Sequence, residues 1–117
     1  MKKNPLISII IVNWNGKKWL RKCLDSLVAQ TYKQVEILLV DNASTDDSVV
    51  FVKKRYPKVR IITNTKNSGF ATGNNIGINR AKGSYILLLN NDTWVKKDFV
   101  QKLKDFYTSH DYAVISP

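Results

Sequence analysis

The chain is poor in cysteine: Cys23 stands alone among 117 residues, so no intrachain disulfide can form. That fits a reducing compartment. Long hydrophobic runs are also missing, and nothing approaches the roughly 20 apolar residues that span a bilayer. The opening, Met1-Lys2-Lys3-Asn4-Pro5 followed by Leu6 to Val12, has the outline of a signal peptide. Its apolar part is too short, however, and runs into Asn13-Trp14-Asn15-Gly16 with no small-residue cleavage site, so it reads as a first strand. Without an export signal, the sequons Asn42-Ala43-Ser44 and Asn91-Asp92-Thr93 are chance matches, and the expected location is cytoplasmic, extending to the inner face of the cell membrane. Acidic residues are scarce, 9 against 19 Lys and Arg, which leaves a net charge of +10. Such an excess suits a solvated surface, anionic lipid head groups, a phosphorylated substrate or nucleic acid. Nucleic acid is the weakest of these, because there is no long basic arm and no zinc-finger, basic-zipper or RNA-recognition signature. Repeats, low-complexity tracts and linker-like stretches are absent too, so residues 1–117 read as one domain.

What is present is the composition of an ordinary globular protein, 44% hydrophobic and 24% charged, with a strict alternation along the chain. Apolar runs rich in Ile, Val and Leu occur at Leu6 to Val12, Val35 to Val40, Val59 to Ile62, Tyr85 to Leu89 and Tyr112 to Ile115. They have the character of strands buried on both faces of a parallel sheet. Helical spacing separates them. Trp19, Leu20, Cys23, Leu24, Leu27 and Val28 line one face of a first helix, making Cys23 a core residue. Ser44-Thr45-Asp46-Asp47 precedes Val49, Val52 and Tyr56, with acidic residues in the first turn and Pro57 as the stop. Ile76, Ala81 and Gly83 suit a third helix with a C-terminal glycine. Phe99, Leu103, Phe106 and Tyr107 face inward from a fourth. Strand and helix in alternation with short connections predict an α/β three-layer sandwich with a mostly parallel sheet.

In such a sheet all strand C-termini share one edge, and ligands bind there. Each of the first four apolar runs ends in amides or carboxylates: Asn13, Asp41-Asn42, Asn64 and Asn90-Asn91-Asp92. Asn and Asp favour turns after strands, which explains any one of these endings more easily than all four. Together they offer partners for base edges and ribose hydroxyls. A carboxylate beside amide oxygens also suits a hard cation, Mg²⁺ or Mn²⁺, that bridges substrate phosphates. The segment Asn67 to Gly77 carries glycines at 69, 73 and 77 and leads into the third helix, whose free N–H groups favour phosphate. It is neither a P-loop nor a dinucleotide fingerprint. Glycines inside a helix are costly unless something must approach closely.

Four stretches in order carry a resemblance: Ser8-Ile9-Ile10-Ile11-Val12-Asn13-Trp14-Asn15, Val40-Asp41-Asn42-Ala43-Ser44-Thr45-Asp46, Asn67-Ser68-Gly69-Phe70-Ala71 with Asn74-Asn75-Ile76-Gly77, and Leu88-Leu89-Asn90-Asn91-Asp92. The chain resembles the inverting family 2 glycosyltransferases of the GT-A fold, in particular rhamnosyltransferase-like members, over roughly residues 6 to 117. The resemblance implies a nucleotide-sugar site formed by Val12, Asn13, Asn15, Asp41, Asn42, Ser44, Asn67, Gly69, Asn75 and Asn91, with Asp41 holding the base. Asp46 shapes this pocket or caps the next helix, with capping favoured, and Phe70 packs on the pocket wall or in the core. Asp92 is the metal ligand and Asn90 a candidate second one, for Mg²⁺ or Mn²⁺. Asn90 stands where the family's Asp-X-Asp motif has its first aspartate, so metal dependence is expected to be looser.

The implied reaction is inverting transfer from a nucleoside-diphosphate sugar, UDP- or dTDP-linked, to a glycan or lipid-linked acceptor. None of Asp98, Asp105 or Asp111 matches the family's base, and Asp98 reads as a helix cap. The chain is therefore expected to be the N-terminal, donor-binding part of a larger enzyme, inactive alone and prone to self-associate as a homo-oligomer. A non-catalytic nucleotide-sugar-binding module is the alternative. A receiver-like regulatory domain is disfavoured, because Asn13-Trp14-Asn15 replaces the acidic cluster it would need. An Asp41→Ala exchange is expected to weaken binding and leave the fold intact.

Overall fold

The computed structural model describes residues 4–110. Among these, strands and helices alternate: β1 (Ile7–Asn13), α1 (Lys17–Val28), β2 (Val35–Asp41), α2 (Ser48–Arg55), β3 (Arg60–Thr63), α3 (Phe70–Arg80), β4 (Tyr85–Leu88) and α4 (Phe99–His110). The run Tyr112 to Ile115, expected as a fifth strand, and Asp111 lie outside the described residues. The strands form one sheet in the order β3-β2-β1-β4, and every neighbouring pair is parallel. After β3 the chain crosses back over the sheet as α3 and returns on the far side of β1. Strand order therefore reverses between β1 and β4.

Successive residues of a strand point to opposite faces, and the core divides accordingly. Ile7, Ile9 and Ile11 of β1 and Ile37 and Leu39 of β2 join the larger cluster, with Leu20, Cys23, Leu24 and Leu27 of α1, Val52 of α2 and Val100 of α4. Ile10, Leu38 and Val40 form the smaller cluster on the opposite face, against Ile76 of α3. Ile9, Ile10 and Ile11 are wholly inaccessible, each burial contributing about 1.5–3 kcal/mol. The sheet is covered on both faces. The α/β three-layer arrangement follows, with a sheet that is wholly parallel.

Gly73 and Gly77 fix how close α3 lies. A Cβ on Gly73 would stand 2.8 Å from Val12 Cγ1, and one on Gly77 would stand 2.5 Å from Ile10 Cγ2. The close approach that these helical glycines permit is to β1 itself.

Several inward-facing assignments do not hold. Trp19 and Val28 are exposed, at 46% and 53%, because α1 buries only the stripe Leu20, Cys23, Leu24 and Leu27. Phe106 is exposed on α4, where the deeply buried residue is Val100. The acidic residues before α2 precede its first turn and do not lie within it. Gly83 does not close α3: Ala81 does, in extended conformation, while Gly83 packs against Ser8, donating its N–H to Ser8 Oγ at 2.8 Å.

Gln30, 1% exposed, locks α4 to α1. Its Oε1 accepts the Val100 N–H at 2.9 Å, and its Nε2 donates to the carbonyls of Ser26 and Lys96. At the amino end of the sheet, the Glu36 carboxylate accepts Ser8 Oγ at 2.5 Å, the Lys82 N–H at 2.6 Å and Arg60 Nη1 at 3.0 Å. Burial pushes the Glu36 carboxyl up, but these donors outweigh it and hold the group below its ordinary range. Among the described residues no helix is long and apolar enough to cross a membrane.

Candidate functional site

The carboxyl edge of the sheet carries two polar layers, divided by strand parity. On the α1/α2 face, Asn13 and Asp41 lie side by side in register at the ends of β1 and β2. Asn13 Nδ2 donates to Asp41 Oδ1 at 2.9 Å, and Asn13 Oδ1 accepts Asn91 Nδ2 at 2.9 Å. One amide thus bridges β2 and the segment after β4, across the point where strand order reverses. Ser44 completes the layer: its Oγ donates to Asp41 Oδ1 at 2.7 Å and its N–H to Asp41 Oδ2 at 2.9 Å. Ser44 Oγ also accepts the Asn15 N–H at 2.9 Å, and Asn15 Oδ1 accepts the N–H groups of Thr45 and Asp46.

Gly16 leaves room for this network. A Cβ there would sit 2.2 Å from Asn91 Nδ2 and 2.5 Å from Asn13 Oδ1. The loops themselves are held in unusual conformations. Asn15 (φ 50°) and Ala43 (φ 61°) both occupy the left-handed region. Asn tolerates it; for Ala it costs about 1 kcal/mol or more, strain of the kind that gathers at functional sites.

On the α3 face, Asn42 is the hub. Its Oδ1 accepts Asn64 Nδ2 at 2.7 Å and Ser68 Oγ at 3.4 Å, and its Nδ2 donates to the Gly69 carbonyl at 3.0 Å. Gly69 caps α3 at φ 89° with nothing near its missing Cβ, and its N–H is held by Asn67 Oδ1 at 3.0 Å. Val12, half-buried, packs on this face beneath Gly73.

The structure therefore gathers Asn13, Asn15, Asp41, Ser44 and Asn91 into one layer, and Asn42, Asn67 and Gly69 into the other. Asn75, Asn90 and Asp92 stand exposed. Asp41 is 2% exposed and spends three of a carboxylate's roughly four acceptor positions within the protein. Its removal is therefore predicted to cost stability as well as any binding role, where the sequence alone leads one to expect an undisturbed fold. Phe70 is 56% exposed, which excludes it from the core. Asp46 is not the N-cap of α2, which is Asp47, but one residue earlier it accepts the Ser48 N–H at 3.0 Å and the Lys17 N–H at 3.1 Å, at the starts of α2 and α1. Burial pushes its carboxyl up, and these donors with Ser48 Oγ bring it below its ordinary range. Gly16 and the buried Asn74 stand in the quoted stretches without a role of their own there, the first because its role is the absence of a side chain. Cys23 is a core residue as expected, its thiol pushed up to about 12, first by burial and then by the charge of Asp92.

A metal would find a sparse site. Among the described residues no three His, Cys, Asp or Glu side chains cluster to hold an ion. Exposed Asp92, with Asn90 two residues away, fits only a cation that takes most of its oxygens from phosphate and water, as Mg²⁺ commonly does.

A cavity of about 870 Å³ opens at the other end of the sheet, between Leu27, Val28, Ile37 and Tyr56. Three of its polar groups are joined: Tyr56 Oη donates to Asp25 Oδ1 at 2.6 Å, with Arg55 3.7 Å from the same oxygen. None of the strand-end residues lines it. The carboxyl edge, where four strand ends converge, is the candidate site; a shallower cavity of about 530 Å³ beside Asn15 and Asp46 opens on its flank.

Fold and edge together define an open-sheet α/β domain whose polar carboxyl edge lies at its switch point. The chain belongs to glycosyl transferase family 2, which it matches over residues 8–117. Glycosyltransferase GlyG of Streptococcus pneumoniae serotype 4 is 33% identical over 115 residues, covering 96% of this chain and 38% of the relative. Chondroitin synthase of Escherichia coli is 32% identical over 108 residues, 90% of this chain and 16% of the relative. Among solved structures, S. aureus TarS 1–349 in complex with UDP-GlcNAc superposes with a TM-score of 0.85 at 25% identity, over 91% of this chain and 32% of that one. The fold is thus the N-terminal part of a GT-A glycosyltransferase. The chain spans well under half the length of these relatives.

Proposed function

We propose that the chain is the donor-binding part of an inverting glycosyltransferase, taking a UDP- or dTDP-linked sugar at the carboxyl edge of the sheet. The observation that carries the reading is the pair of polar layers delivered by consecutive strand ends to one crevice. Likeness to a protein solved with UDP-GlcNAc supports it. Because the inner amides and Asp41 are largely occupied by one another, they preform the edge. The exposed groups Asn75, Asn90 and Asp92, together with the first N–H groups of α3, meet the ligand. Asp41 offers its one remaining acceptor position to the base, with Asn13 and Asn15 beside it.

Asp92, with Asn90, would hold Mg²⁺ or Mn²⁺, which when bound offsets charge on the departing diphosphate. The acceptor base belongs elsewhere. Asp98 is tied to Lys102 at 3.1 Å and Asp105 to Lys104 at 2.8 Å, and those lysines hold both carboxyls below their ordinary range, the wrong direction for a general base. The acceptor is a glycan or a lipid-linked sugar. Calorimetry with UDP and dTDP, with and without Mn²⁺, tests the reading. Binding strengthened by Mn²⁺, and no longer so in Asp92→Asn, is expected. Failure of both nucleotides to bind the folded chain refutes it.

A further inference from the structure

We infer that the outer surface of α1 and the loop after β4 form a docking face for an anionic lipid bilayer. The buried thiol and the Glu36 carboxylate have their partners within the protein, whereas this surface turns large aromatic rings and ammonium groups to solvent. Trp19 and Trp94 are 46% and 55% exposed, each with a lysine over its ring: Lys18 Nζ lies 4.9 Å from the Trp19 ring and Lys22 Nζ 3.6 Å from that of Trp94. Lys18 and Lys22 are four residues apart on α1, and Trp19 and Lys22 three apart, so the four side chains form one continuous patch. The loop extends it along the helix. The Lys96 carbonyl is held by Gln30 and the Lys97 carbonyl by the Thr31 N–H, which sets two more exposed lysines at the far end of α1, roughly 18 Å from its start.

Tryptophan with flanking lysine matches the chemistry of a membrane interface, where the ring sits at head-group depth and the ammonium meets phosphate. A covering apolar protein surface would have to bury these ammonium groups away from any anion, which is unfavourable, whereas lipid phosphate supplies one. Nearby acid does not cancel the patch: Asp25, on the same helix, lies between Arg21 (3.9 Å) and Arg55 (3.7 Å), and Asp98 is paired with Lys102, leaving Asp92 beside the carboxyl edge. The carboxyl edge adjoins the start of α1, so docking holds the candidate site beside the bilayer. The inference does not depend on what that site binds.

Vesicle flotation of the intact chain tests it, using phosphatidylglycerol-containing and pure phosphatidylcholine vesicles, with brominated lipids to quench tryptophan. Binding to the anionic vesicles alone, weakened by salt and accompanied by quenching, is expected. Lys18→Glu with Lys22→Glu should lower affinity by at least about 25-fold, from about fivefold per lysine lost. Lys53→Glu with Lys54→Glu, on exposed α2 positions, should lower it much less. No binding, equal loss in both pairs, or binding without quenching would overturn the proposal; an acidic peptide that binds the patch while vesicles do not would reassign it to a protein partner.

Discussion

Replacing Asp41 by alanine tests whether the carboxyl edge is a preformed structure. The carboxylate accepts three hydrogen bonds: from Asn13 Nδ2 (2.9 Å), Ser44 Oγ (2.7 Å) and the Ser44 N–H (2.9 Å). Ser44 can redirect its hydroxyl, and Asn13 retains a longer contact to Ser44 Oγ at 3.3 Å. The Ser44 N–H and one Asn13 N–H lose their best acceptor. A buried donor stripped of its partner costs about 1–3 kcal/mol, so two cost about 2–6 kcal/mol, toward the lower end where water reaches them. Against a total stability of about 5–15 kcal/mol, that is a large share. In urea, with a slope of about 1–3 kcal/mol per molar, a loss of 3 kcal/mol moves the unfolding midpoint down by about 1–3 M. Circular dichroism of the parent, Asp41→Ala, Ser44→Ala and the double variant measures it. The double variant should lose less than the sum, because the two residues share one network. A loss below about 1 kcal/mol in Asp41→Ala, or strict additivity, would refute the reasoning.

Gly16→Ala should break the Asn13–Asn91 bond, since the new methyl would lie 2.2 Å from Asn91 Nδ2. The cost is about 1–3 kcal/mol, a fall in melting temperature of several degrees with weakened nucleotide binding, and an unchanged melt would count against it. Glu36 predicts a pH effect. Its folded carboxyl titrates below its ordinary value of 4.5, so the stability it contributes is fully present above that value and is lost as pH falls through the lower folded value. Glu36→Gln should flatten the fall of stability on acidification below about pH 5, measured by denaturation across a pH series; a slope equal to the parent's would exclude Glu36 as the source.

The described strands were legible because burial on both faces leaves an unbroken apolar run, and their polar endings do gather along one edge of the sheet. Helix faces were less legible. Trp19 and Val28 flank the buried stripe of α1, and apolar character alone does not separate a shoulder position from a core one. The helical glycines were noticed, but what comes close at Gly73 and Gly77 is β1, which only three-dimensional placement reveals. Gln30 was invisible for a related reason: a glutamine after a helix looks solvated until the chain 66 and 70 residues later returns to meet it. Sequence also marks Asp41 and Asn42 as a unit, whereas the sheet assigns them to different layers.

That division has a consequence for recombining this domain with others. Asp41 and Asn42 are adjacent in the chain yet serve networks on opposite sides of the sheet, so a one-residue insertion or deletion in β2 would exchange their sides. A deletion would bring Asn42 to where Asn13 awaits a carboxylate, and an insertion would turn a charge toward the Gly69 carbonyl. Chimeras spliced within β2 should therefore tolerate many substitutions but no odd change in length, and the workable crossover points are the loops beyond the strand's ends.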